Sequence, residues 1–217
     1  RHTDIPWFRM MYAYPAFIPD GHIDVMANEK RICKYMDIPI QHASSAMLKA
    51  MRRNYDSAQL RDGLTRMRKA IPGLALRTTA LLGYPGETEA DFERTLGLLD
   101  EVEYDSIFCF KYSPRPNTPS LLLEDAIPEA EKSRRLIILQ EKQREIQRRR
   151  YQRHVGQIQE VMVEGKNEAR RQWIGRTSQN KTLNFTAPQE VIPEVGSYIP
   201  VVTTGSFPNS LLGEMVI

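Results

Sequence analysis

The chain has 217 residues, 41% of them hydrophobic, which suits one or two domains with a real core. No apolar run approaches the roughly 18–20 residues of a membrane-spanning helix and no leader segment is visible, while two isolated cysteines, Cys33 and Cys109, cannot by themselves build a four-cysteine metal centre. The net charge of +3 is uneven: residues 131–153 carry nine Lys/Arg against three Glu, a local +6, and the remainder sums to −3, so a polyanionic partner competes with a plain solvated helix face as the reading of that block.

The chain opens without a start methionine, directly into an aromatic stretch, and reads as a fragment. Residues 7–15 (WFRMMYAYP) read as a strand, 21–32 as a helix and 33–40 (CKYMDIPI) as the next strand. Met47, Leu48 and Met51 lie on one helical face within 45–54, and Leu60, Leu64 and Met67 do so within 57–71, where Ser57 is the expected N-cap. LALRTTALLG is a strand; 88–102 is a helix that Thr88 can cap, with Asp91 three residues on; 106–113 is the last strand of the series. Strands alternating with helices predict parallel βαβ units, and four strands fit an open or partial barrel but not a closed one of eight. Tyr12, Tyr14 and Phe110 are expected in the core or on the barrel's interior.

Residues 127–155 read as one long helix, with Pro128 in its first turn and Gly156 as its stop. From Gln157 onward, short alternating segments split by Gly, Pro and Asn predict a small all-β barrel. The expected division is 1–153 and 154–217.

In parallel α/β folds, functional groups collect at the C-terminal ends of strands. That rule picks out Gln41, His42 and Ser44 after the second strand, Gly83, Gly86 and Glu87 after the third, and Ser113 and Arg115 after the fourth. Each has a plain role: helix capping for Gln41 and His42, turn freedom for the glycines, helix-dipole charge for Glu87, solvation for Arg115. As a set they offer a turn for close backbone approach, amides for an adenine or ribose, and an arginine for a carboxylate. A nucleoside carrying an amino-acid tail suits that set. No nucleophile–base arrangement or phosphate loop is present, and His2, His22, His42 and His154 are not at metal-ligand spacings. Catalytic residues are therefore unassigned and no metal site is expected.

The segments YMDIPIQHASSAMLKAMRR, LLGYPGET, FKYSPRPNTP and IGRTSQNKTLNF occur in the order found in the methylthiotransferase branch of the radical S-adenosylmethionine (SAM) enzymes, which the chain resembles over nearly its whole length. The resemblance implies strands three to six of a partial parallel (βα) barrel, followed by a TRAM domain, a small RNA-binding β-barrel. It implies SAM as cofactor, with Gln41, His42, Ser44, Gly83, Gly86, Glu87 and Arg115 near it. Two 4Fe-4S clusters belong to the full-length family members; their cysteine sets are missing from this sequence, so the chain alone is expected to be inactive.

The implied reaction is methylthiolation of N6-isopentenyladenosine at C2, beside the anticodon of tRNA, in the cytoplasm, by a monomer whose sulfur donor is not identified. The anticodon stem-loop is the expected partner, with Trp173, Arg176, Asn180, Lys181 and Asn184 of the GRTSQNKTLNF region as RNA contacts through phosphates, base edges and stacking. The balance of residues 154–217, five Lys/Arg against six acids, requires a local patch instead of a basic domain. Two alternatives remain open: methylthiolation of an aspartate on a ribosomal protein, for which DIPIQHAS is equally suited, and a non-catalytic tRNA-binding module. An open sheet edge also predicts poor solubility of the isolated chain.

Overall fold

The computed structural model describes residues 3–124 and 126–217. Four parallel strands, β1 (Phe8–Met10), β2 (Ile32–Asp37), β3 (Ala75–Leu82) and β4 (Ser106–Lys111), form one sheet in the order β1-β2-β3-β4. Helices α1 (Asp20–Asn28), α2 (Ser45–Ala50), α3 (Ser57–Ala70) and α4 (Glu89–Val102) lie between the strands, and α5 (Glu129–Gln152) follows them. Met36, Leu76, Ala80 and Leu82 of the sheet merge with Ile23, Met26, Leu60, Leu64, Met67, Phe92, Leu99, Leu139 and Ile146 of the helices into one buried core. The other sheet face is open: Phe108 and Phe110 are about half exposed.

Local chemistry explains the boundaries. At α3 the Asp56 carboxylate accepts the Gln59 N–H while the Gln59 side chain accepts the Asp56 N–H. The cap is thus one residue earlier than expected, and Ser57 is the first helical residue. At α4, Thr88 and Asp91 form the expected capping box. Pro128 is the N-cap of α5 and not part of its first turn. β1 is only three residues long, so most of the strand expected over 7–15 is irregular, and Tyr12, expected inside, has φ 58° and is 75% exposed.

Past Gly156, which has φ 83°, strands β5 (Ile158–Asn167), β6 (Gln172–Thr177), β7 (Thr182–Thr186), β8 (Tyr198–Ser206) and β9 (Leu211–Met215) close into a barrel in the order β5-β6-β7-β9-β8. Val161, Val163, Leu183, Phe185, Val201 and Leu211 fill it, with Tyr151 of α5 at one end. Gly175 is required on β6, because a Cβ there would overlap Val161 and the Met162 carbonyl.

Candidate functional site

After β2 the chain runs buried through Ile38 and Ile40 and reaches Gln41 in the left-handed region, φ 68°. Gln41 still pairs with β3: its N–H donates to the Thr79 carbonyl at 2.8 Å and its carbonyl accepts from the Leu81 N–H at 2.8 Å. The turn leaves Gln41 half-buried and sends His42 inward, fully buried. The Ser44 N–H donates to His42 Nδ1 at 3.0 Å. Because a backbone N–H can only donate, Nδ1 is the acceptor and the ring proton sits on Nε2, where it is given to Glu87 Oε1 at 2.8 Å.

Glu87 Oε2 in turn accepts from the Gly83 N–H and, at 2.8 Å, from Arg135 Nη1 of α5. The Ser44 hydroxyl donates to Asp91 Oδ1 at 2.5 Å. Burial pushes the Asp91 carboxyl up, but the hydrogen bonds from Ser44 and Thr88 outweigh it and bring it down to about 2. This network staples the β2 turn, the β3 turn and α5 together.

The network corrects three expectations. His42, Ser44 and Glu87 offer no group to a cofactor, because their side-chain atoms are buried and bonded to one another, to Asp91 and to Arg135. Gly83 (φ 69°) and Gly86 (φ 83°) have the turn geometry that glycine favours, and a Cβ at Gly83 would overlap Lys132. Arg115 is exposed on the loop after β4, where its carbonyl accepts from the Thr118 hydroxyl at 2.7 Å.

In front of the network lies a cleft of about 510 Å³ at the C-terminal ends of β2 and β3, lined by Tyr14, Gln41, Met51, Arg52, Arg53, Tyr84 and the 118–120 segment among others. Of the residues singled out from sequence as cofactor or RNA contacts, only Gln41 reaches it; Tyr14, expected in the core or on the barrel's interior, lines it as well. Tyr84 and the two arginines were missed. The one sequence signal was the Arg52-Arg53 pair directly after a short apolar helix.

Arg52 is the residue past the end of α2, with φ 56°. Its N–H donates to the Lys49 carbonyl and the Arg53 N–H to the Leu48 carbonyl, the two bonds of a Schellman motif. Glycine usually holds that position; a side chain there costs roughly 1 kcal/mol.

The hairpin singled out for RNA faces elsewhere. Its turn docks on the parallel-sheet unit: Gln179 Nε2 donates to the Gly73 carbonyl at 2.5 Å, Arg9 Nη2 to the Thr177 carbonyl at 3.2 Å, and Asn180 approaches the Tyr35 hydroxyl. Lys181, expected on phosphates, is 2% exposed and donates to Asp105 Oδ1 at 2.7 Å. Asp105 also takes Arg150 Nη2 at 2.9 Å and the Leu76 N–H at 3.0 Å. Burial raises the Asp105 carboxyl, but Lys181 and Arg150 reverse this and hold it below its ordinary value. Burial likewise lowers the Lys181 ammonium, against the pull of Asp105.

Arg176 is paired with Glu164 at 2.8 Å, Trp173 packs half-buried against the barrel core with Lys166 over its ring, and Asn184 is half-buried on β7. Much of the basic block on α5 is paired as well: Arg134 and Arg135 meet Glu89 and Glu131, Lys142 meets Asp100, and Arg149 and Arg153 meet Glu103, while Arg144 and Arg148 stay exposed.

Residues 2–99 match the family model of the radical SAM superfamily, and residues 152–216 match that of the TRAM domain. The two matches follow one another along the chain in the same order as the parallel-sheet unit and the barrel. This radical SAM–TRAM chain is 50% identical over 216 residues to a tRNA-2-methylthio-N(6)-dimethylallyladenosine synthase of Koribacter versatilis (strain Ellin345), covering 99% of the chain and 48% of the relative.

A synthase of the same name from Solibacter usitatus (strain Ellin6076) is 53% identical over 193 residues, 88% of the chain and 43% of the relative. A ribosomal protein uS12 methylthiotransferase RimO of Anaeromyxobacter sp. (strain K) is 39% identical over 215 residues, 98% of the chain and 46% of the relative. The radical SAM–TRAM chain thus spans about half the length of the curated relatives it matches. Among solved structures, coproporphyrinogen III oxidase (HemN) from Escherichia coli shares the fold, with a TM-score of 0.51 and 16% identity over 61% of this chain and 32% of its own.

Proposed function

We propose that the chain is the radical SAM and TRAM portion of a tRNA methylthiotransferase that acts on N6-isopentenyladenosine at C2, next to the anticodon, in the cytoplasm. The observation that carries this reading is the 50% identity to a tRNA-2-methylthio-N(6)-dimethylallyladenosine synthase along 99% of the chain. The division of labour follows the sequence boundary, with residues 1–153 serving the cofactor and 154–217 the RNA.

The chain's residues do not fit an iron–sulfur cluster. Cys33 lies with Trp7 and Tyr35 on the open sheet face, Cys109 packs against the helix core, and no group of three or more candidate ligands exists among the described residues. SAM fits better: the cleft is within the size range of nucleoside sites, and Gln41 and Tyr84 supply an amide and a ring at its wall. When bound, SAM supplies the radical initiator and the methyl group.

The protein's own part is positional. The buried His42–Glu87–Arg135 network fixes the two turns that carry Gln41 and Tyr84, and the 118–120 segment closes the far wall. Arg115, exposed on that same loop outside the cleft lining, is the residue we assign to a carboxylate. RNA contacts on the barrel fall to surfaces other than the docked turn, with Trp173, Arg176 and Asn184 retaining partial exposure.

The test is mass spectrometry of tRNA nucleosides from cells lacking the gene. Loss of the 2-methylthio group with accumulation of isopentenyladenosine is expected. Unchanged tRNA would instead direct attention to a ribosomal-protein substrate.

A further inference from the structure

We propose that Arg52 and Arg53, at the mouth of the cleft between the end of α2 and the loop after β4, are phosphodiester contacts for the RNA substrate, outside the part of the cleft that Gln41 and Tyr84 wall. This rests on the tRNA reading and extends it to particular side chains. Two independent observations point to it.

The first is electrostatic. The cleft, about 510 Å³, is lined by two arginines and no carboxylate. Most other arginines of the helical layer meet an acid, with Arg144 and Arg148 on the exposed face of α5 as exceptions, and among the described residues neither Arg52 nor Arg53 has an ion-pair partner although both line a cleft. Arg53 is held with its guanidinium 5.7 Å from the Tyr14 ring centroid, which fixes the plane of its donors. Tyr14 packs edge-on to Tyr55, whose hydroxyl donates to the Ile40 carbonyl at 2.8 Å. Opposite, the Tyr84 hydroxyl donates to the Ala50 carbonyl at 3.3 Å, tying the glycine turn to α2. The arginines therefore stand on a rigid frame at the mouth of the cofactor cleft.

The second is conformational. Arg52 occupies the left-handed position of a Schellman motif, where glycine is less strained, and its side chain is exposed and bonded to nothing that would explain it. Backbone strain of this kind clusters at functional positions, and here it coincides with the mouth of an open cleft. Guanidinium groups bind phosphate bidentately, and adjacent ones at an open mouth suit consecutive phosphates of a chain better than a single small anion.

The test uses the 217-residue chain and a short fluorescent RNA hairpin, titrated over a range of salt concentrations. Wild type is expected to bind with a salt-dependent affinity. The R52G/R53A pair should lose roughly 10-fold in affinity near 0.1 M salt and flatten the log–log salt slope by about 1–2. Arg52→Gly alone should weaken binding while leaving the melting temperature unchanged or raised, which separates binding from folding. Wild-type binding that the R52G/R53A pair leaves unaltered in affinity and slope would overturn this site and spare the tRNA reading. A chain that binds no RNA but binds an aspartate-bearing peptide through the same arginines would overturn both. A lower melting temperature for R52G would remove the strain argument and count against the proposal.

Discussion

The orientation of the His42 ring depends on a single backbone donor. The Ser44 N–H forces the acceptor role on Nδ1, so Nε2 is left to donate, and Glu87 Oε1 is its acceptor. Glu87 also balances Arg135 inside the protein, where an unpartnered charge is expensive. Glu87→Gln keeps the shape but turns one oxygen into a donor facing donors. It should cost about 2–4 kcal/mol in urea unfolding; a loss within experimental scatter would show that the network adds nothing. His154 makes a second residue-scale case. Burial, together with Lys181 and Arg150 nearby, lowers its pKa from 6.5 to about 4, partly opposed by Asp105. Its folded pKa lies below its unfolded value, so the unfolded chain takes up the proton first. Stability from the neutral ring is full above about pH 6.5 and drains away as pH falls towards 4. The urea midpoint should drop across that window, and His154→Gln should flatten the drop; an identical pH profile in the variant would refute the assignment.

At the scale of elements, the β6–β7 hairpin and α5 share one principle. Both are rich in polar and basic residues, and each sends a few of them, Lys181 from the hairpin and Arg135 and Gln143 from α5, into the interior. Lys181 enters the joint between barrel and sheet because Asp105, just before β4, offers a carboxylate that Arg150 and the Leu76 N–H already hold in place. Removing the anion leaves Lys181, Arg150 and Arg68 crowded without a counter-charge, whereas removing Lys181 leaves Asp105 with Arg150. Asp105→Asn should therefore cost about 3–5 kcal/mol and Lys181→Met clearly less. Thermal unfolding of the two variants checks the order; equal losses would mean that the joint rests on packing and not on this cluster.

On the scale of the whole molecule, the four-stranded sheet has one covered and one open face, and its cleft sits on the rim where strands end, with the barrel docked on the unit's flank through Arg9, Gly73 and Asp105. Much of this was legible in the chain. The alternation of strand and helix, the Thr88–Asp91 cap, the long α5 and a small all-β unit after it follow from periodicity and capping chemistry, which are local and act within a few residues. Gln41 was legible too, because strand ends in parallel sheets are where ligands meet backbone. The roles of His42, Ser44, Glu87 and Lys181 were not. Each carries a polar group that suits a ligand as well as it suits a buried partner, and the partner stands 45 or more residues away along the chain: Glu87 for His42, Asp91 for Ser44, Asp105 for Lys181. The sequence by itself determined which segments are strands, helices and barrel, since those choices rest on short-range order. Only the tertiary structure decided which polar side chains are exposed to act and which neutralise one another, because burial and charge pairing are properties of contacts between distant parts of the chain.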